Sequence, residues 1–208
     1  MSLARLLQLA SPALPVGAYS YSQGLEAAVE AGIVSDAASA ERWIGDVLEF
    51  SAGSMEAALL WKMLQTGEVR ELNELFLSSR ESAELRAETV QMGRSLALLL
   101  KDLNVCEIDA GECAFPTAFA QAALHLEIGP REALVAYLWS WLENQVMAAI
   151  KAVPLGQTDG QRILFSLAAG LGKIADRVKN DDDRFNFAPG LAFLSARHET
   201  QYSRLFRS

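Results

Sequence analysis

The stretch LVAYLWSWLENQVMAAIKAV, Leu134 to Val153, decides the fold. Tyr137, Leu138, Trp139, Trp141, Leu142, Val146, Met147 and Ile150 fall on almost every face of a helix of about 3.6 residues per turn. A helix that is apolar all round belongs in the middle of a protein, so this is a central helix that others surround. Pro154 stops it, because proline offers no N–H and disfavours helical backbone in the residue before it.

Working outward, helical periodicity runs through nearly all of the chain. Leu3, Leu6, Leu7 and Ala10 share one face of a short first helix, and the prolines and glycine of Ser11 to Ser20 make a loop. Helices are then expected from about Tyr21 to Ala31, with Gly32 as its cap, and from Asp36, an N-cap followed at the third position by Ser39. Trp43, Ile44, Val47, Leu48 and Phe50 form the stripe of that helix; beyond Gly53, Met55, Leu59, Leu60 and Met63 repeat it up to Gly67. Further helices are expected over Val69–Leu77, Glu81–Leu103, Phe115–Leu126 and, after Gly129-Pro130, the central one. A last apolar helix spans Gly160 to Val178, and the acids before Arg184 break it. No strand alternation and no repeat period is present. The fold class is all-α, a single-domain bundle of about eight to ten helices over 1–208, with an N-terminal segment 1–20 and a C-terminal tail 184–208. The 208 residues, 51% hydrophobic, suit one core.

The net charge of −8 argues against wholesale binding to nucleic acid or anionic lipid. Its distribution says more. From Arg184 onward four arginines face one acid, +3, while the remainder carries 14 basic and 25 acidic residues, −11. A basic tail on an acidic body is a tail that docks, on the body or on a partner. No secretory signal and no apolar run of membrane-spanning length is read, so the expected location is the cytoplasm. Two cysteines do not make a disulfide framework.

The motifs of catalysis are mostly missing. Gly170-Leu171-Gly172-Lys173 lacks the leading glycine of a phosphate loop, where Leu167 stands, and the hydroxyl after the lysine, where Ile174 stands. Gly172 is read instead as a close helix contact. Ser22 within Ser20–Gly24 lacks the first glycine and the preceding strand of a nucleophile elbow. Glu26 with Glu30, and Glu84 with Glu88 and Arg94, read as solvated faces. Cys106, Glu107, Asp109, Glu112, Cys113 and His125 have ligand character and could hold zinc or nickel, which would make the chain a nickel-binding metallochaperone; the cysteine spacing fits no common zinc pattern, and the favoured reading is two buried thiols, a solvated acidic loop and a helix-surface imidazole. Asp181 to Asp183 read as a surface turn. No catalytic, metal or cofactor residue is assigned.

Three stretches exceed what a helical bundle requires. SPALPVGAYSYSQGLE, Ser11 to Glu26, places Tyr19 and Tyr21 on a proline-stiffened loop, a composition that suits interfaces. KAVPLGQTDGQ, Lys151 to Gln161, ends the central helix on a lysine and exposes a polar turn. HETQYSRLFRS, His198 to Ser208, interleaves Tyr202, Leu205 and Phe206 with Arg204 and Arg207, the residue types that concentrate binding energy at interfaces. These three, with SRES at Ser79 to Ser82 and RAETVQMG at Arg86 to Gly93, resemble in order the signatures of the UreF family of urease accessory proteins; Ala18 stands where relatives often carry a second glycine.

The resemblance implies an all-helical homodimer without enzymatic activity or cofactor. It implies a complex with UreD (UreH in some organisms) and the GTPase UreG that activates apo-urease with nickel, carbon dioxide and GTP. Carried onto this sequence, Tyr202, Arg204, Leu205, Phe206 and Arg207 would order against UreD or the body, with Tyr19 and Tyr21 near them. Lys151, Gln157, Asp159 and Gln161 are the candidates for the face presented to UreG.

Overall fold

The computed structural model describes residues 3–108, 111–180 and 185–208. Asp109, Asp181 to Asp183 and Arg184, named in the readings above, lie outside them. The described residues form helices α1 (Leu3–Leu9), α2 (Leu25–Glu30), α3 (Ala37–Val47), α4 (Ala57–Thr66), α5 (Arg70–Ser78), α6 (Ala83–Asp102), α7 (Phe115–His125), α8 (Pro130–Ala152), α9 (Gln157–Ala168), α10 (Leu171–Asn180) and α11 (Pro189–His198), and no strand. This is the expected all-α bundle.

The 23-residue α8 is its axis, touching α1, α2, α3, α4, α7, α9 and α10. Leu134, Leu138 and Leu142 are fully buried along it, while Met147 on the opposite flank is exposed. Around it pack Leu25, Ile44, Leu59, Leu60, Met63 and Phe119, all without solvent contact. Each such side chain contributes about 1.5–3 kcal/mol by leaving water. An aromatic knot of Phe115, Phe119 and Tyr137 ties α7 to α8, with Phe119 edge-on to Tyr137 at 5.2 Å. Alongside, α6 approaches the loop before α7 so closely that a Cβ at Gly93 would lie 2.1 Å from the Cys113 carbonyl oxygen.

Local chemistry sets most boundaries where the sequence put them. Asp36 accepts from the Ser39 amide at 2.8 Å, and Ser39 Oγ accepts from the Asp36 amide at 3.0 Å, so serine completes the capping box in place of Glu or Gln. Pro130 takes the first turn of α8 and Gly67 caps α4. Between α3 and α4 the chain does not break at Gly53; it continues in π-helical turns over Leu48–Glu56. A Cβ at Gly53 would sit 2.4 Å from the Leu48 carbonyl oxygen, so the wide turn needs glycine. The turn frees the Phe50 carbonyl to accept from the Phe187 amide at 3.1 Å, and the Met55 amide donates to Phe185 O at 3.1 Å.

Three expectations are corrected. The helix read over Gly160–Val178 is two helices, with a tight turn at Ala169-Gly170 in which the Gly170 amide bonds Leu167 O at 3.0 Å. Glycine's low helix propensity makes that break cheap. The polar turn read at Gln157 to Asp159 is the first turn of α9, where Asp159 complements the helix dipole. Gly172 meets a side chain of α8, the Arg131 guanidinium at 3.3 Å, and no helix backbone.

Candidate docking site

The last ten residues of the chain are strapped back onto its beginning. From His198, the end of α11, the tail crosses α2, runs along the loop before it and ends with Ser208 buried. Backbone bonds fix its course. The Arg207 amide donates to Ser20 O at 2.8 Å, and the Ser22 amide donates to Ser208 O at 2.8 Å.

Side chains on the body complete the seat. Glu26 on α2 accepts the Leu205 amide (2.7 Å) and Gln201 Nε2 (3.4 Å) at one oxygen, and the Phe206 amide (2.9 Å) and His198 Nε2 (3.3 Å) at the other. A carboxylate has about four acceptor sites, and the tail occupies all of them. Glu84 on α6 binds His198 Nδ1 and Arg204 Nη1, each at 2.6 Å. One helical turn on, Glu88 accepts from Ser208 Oγ and from Gln23 Nε2, both at 2.7 Å, and Trp141 Nε1 donates to Gln23 Oε1 at 2.8 Å. Burial pushes the Glu88 carboxyl up to about 7, against the pull of those two donors.

These acids overturn the reading of Glu26, Glu84 and Glu88 as solvated faces. Glu26 and Glu88 are buried and Glu84 nearly so; only Glu30 and Arg94 face water. Two signals in the sequence pointed there: Glu26 sits inside the apolar run Leu25 to Ala28, and a basic tail needs acids to meet.

Of the residues singled out for docking, the structure gathers one group. Phe206 is buried, with Lys151 Nζ 4.4 Å above its ring and 3.5 Å from Leu205 O. Tyr21 is buried too; Asn144 donates to its carbonyl at 3.3 Å, and burial raises its phenol while neighbouring Arg207 lowers it. Tyr202 and Leu205 point outward, as does Tyr19 on the loop, the first with its side chain wholly in solvent. Gln157, Asp159 and Gln161 stand apart on α9, where Asp159 pairs with Arg162 at 3.0 Å; among the described residues none of the three bonds to Lys151 or to the tail.

Beneath the loop lies a cavity of about 200 Å³. Leu14 and Val16 wall it, Tyr19 stands at its rim, and its polar end holds Glu56, Arg80 and Glu88. Arg80 donates to Glu56 at 3.2 Å, and Tyr137 donates to the other oxygen. Desolvation nevertheless holds the Glu56 carboxyl above its ordinary range, outweighing both partners.

The alternative metal group is not assembled. Cys113 precedes α7 and His125 ends it, so the helix holds them on the order of 15 Å apart. His125 is exposed and bonded to its own turn through Gln121 O at 2.9 Å, and burial pushes the Cys113 thiol up to about 11, away from the thiolate a metal needs. Among the described residues no three His, Cys, Asp or Glu side chains converge as ligands, and no helix is long and apolar enough to cross a membrane. Ser22, the discarded nucleophile, spends its hydroxyl on Ser208 O at 2.5 Å.

Comparison with known proteins shows the family. The sequence model of the UreF family matches residues 34–168. The urease accessory protein UreF of Azoarcus sp. (strain BH72) is 54% identical over 225 residues, covering 100% of this chain and 96% of that protein. The proteins of that name from Dechloromonas aromatica (strain RCB) and Janthinobacterium sp. (strain Marseille) are 52% and 47% identical, each covering 100% of this chain and 98% of their own.

Proposed function

This chain belongs to the UreF family of urease accessory proteins, and from that premise we propose that it is a non-catalytic scaffold for loading nickel into apo-urease. In this reading it works in the cytoplasm as a homodimer. It bridges UreD (UreH) and the GTPase UreG and governs GTP-dependent delivery, while nucleotide chemistry stays with the GTPase. The sequence's lack of a phosphate loop agrees with that division.

One observation supports the docking role above others. The tail is tied down by bonds through Glu26, yet it turns Tyr202 and Leu205 to solvent, and Tyr19, on the loop it runs along, is exposed as well. Large apolar side chains held outward on an ordered strap form a surface for a partner, since a strap serving the fold alone would turn them inward. We assign this face, with Arg204 and Arg207 exposed on it and Phe206 and Tyr21 buried beneath it, to UreD. Lys151 lies beneath the tail; Gln157, Asp159 and Gln161 on α9 form the separate face assigned to UreG.

Co-purification tests the proposal. The full chain is expected to retain UreD and UreG from a mixture of purified proteins. Deletion of Tyr202–Ser208, which leaves α11 intact, should weaken UreD capture by about tenfold or more, the effect of losing one interface anchor. Undiminished UreD capture by the shortened chain would remove the tail from the interface, and failure of the full chain to hold either partner would end the scaffold reading.

A further inference from the structure

Protein interiors leave few voids larger than a water molecule, so the cavity of about 200 Å³ beneath the loop is an exception to the packing around it. Its walls are apolar, with Leu14, Val16, Met92 and Phe115 among them, and Glu56, Arg80 and Glu88 stand at its polar end. It reaches the surface between the loop and α8, since Tyr19 and Met147, which also line it, are exposed. The space therefore has an apolar body, a charged end and a way in.

At that end two carboxylates share one guanidinium. Arg80 is committed to Glu56 at 3.2 Å, with its guanidinium 4.2 Å above the Phe76 ring, and Tyr137 donates to the other Glu56 oxygen. Glu88 has no such partner. It is 3% exposed, and both of its bonds come from neutral groups, Gln23 Nε2 and Ser208 Oγ. A carboxylate has about four acceptor positions, so about two at Glu88 stand open. Arg80 acts on Glu88 only through space, and burial wins, holding the carboxyl up to about 7.

We propose that this cavity is a binding site for a small organic cation, a primary amine seated at Glu88 with a compact apolar body along Leu14, Val16 and Phe115. An ammonium supplies the countercharge that the polar end lacks and fills the open acceptor positions with charge-assisted bonds, which are roughly twice as strong as neutral ones. The size follows from volume: an apolar cavity of about 150 Å³ admits benzene, so this one admits a ring with one short arm. An anionic head would face Glu88 and Glu56 together. A bare metal ion would leave the apolar walls uncovered, and among the described residues no three His, Cys, Asp or Glu side chains converge to ligate one. Glu88 also holds Gln23 of the loop and Ser208 of the tail, so an occupant here braces both segments from beneath. The inference does not depend on the partner assigned to that face, and the isolated chain tests it.

Benzylamine is the probe, titrated into the full-length protein by calorimetry and NMR at roughly pH 7.5, where an alkyl ammonium keeps its proton. Saturable binding is expected, with contacts in NMR from the probe's ring to the methyl groups of Leu14 and Val16. Benzyl alcohol, of the same size without the charge, should bind about tenfold or more weakly, the weight of a hydrogen bond to a charged group, and benzoate should not bind. Glu88→Gln should bring benzylamine down to the level of benzyl alcohol and leave the alcohol's affinity unchanged. A cavity that holds only water gives no saturable binding, and that result would overturn the proposal. So would benzyl alcohol or benzoate binding as tightly as benzylamine, undiminished benzylamine binding by Glu88→Gln, or ring contacts elsewhere on the protein. Displacement of benzylamine by nickel(II) at matched concentration would give the site to a metal ion and overturn it too. Should Glu88→Gln fail to fold, the ranking of the three probes and the methyl contacts decide.

Discussion

Glu88 is a carboxylate whose surroundings penalise its charge more than they support it. It is buried, Glu56 lies near enough to repel it, and its two neutral donors do not offset desolvation, so its carboxyl rises to about 7. A carboxyl raised in the folded state binds a proton that the unfolded chain has already released. Its contribution to stability is therefore complete below the ordinary carboxylate range and is lost as pH rises through about 7. Glu56 is shifted the same way for the same reason. Groups shifted downward, such as Asp36 at its capping box and Asp176 beside Arg131, act on the acid side and leave the neutral range clear. Chemical denaturation should show stability falling from pH 6 to pH 8. Glu88→Gln, which keeps the shape and removes the charge, is expected to recover about 1 kcal/mol of that fall. A variant with the wild-type slope would mean that Glu88 does not change its charge over that range.

Between elements, the contacts that matter here are close approaches that the helical pattern does not announce. The contact of α6 with the loop before α7 runs through Gly93, where an added methyl meets the backbone at Cys113 and Ala114. Backbone cannot rotate aside as a side chain can, so the helix must move. Gly93→Ala should cost about 2–3 kcal/mol in thermal or urea unfolding, although alanine is the better helix former. A neutral or stabilising result would show that α6 can slide along α7. The shift would also be felt at the site, because α6 carries Glu84 and Glu88 on the face that receives the tail.

At the scale of the molecule, the proposed homodimer makes a direct prediction. Light scattering at micromolar concentration should return about twice the 22.6 kDa of one chain, and a monomer would exclude a stable pair of this chain alone. The helical architecture was legible from residues 134–153 outward, because apolar period, N-caps, prolines and glycines act within a few residues of one another. The family was legible too, through the loop, the turn and the tail. The site was legible only in part: Tyr202, Leu205 and Lys151 stood out by type, while Glu26, Glu84 and Glu88 looked like ordinary helix-surface acids. Their role depends on donors far away in the chain, since Glu26 meets His198 across 172 residues and Glu88 meets Ser208 across 120. The sequence by itself determined most of the helices, which of them is central and that a basic tail docks, while the break at Ala169-Gly170 and the helix α11 within the tail went unread. Only the tertiary structure decided which acids receive that tail, because a carboxylate's burial is set by the donors that folding brings to it and not by its neighbours in the chain.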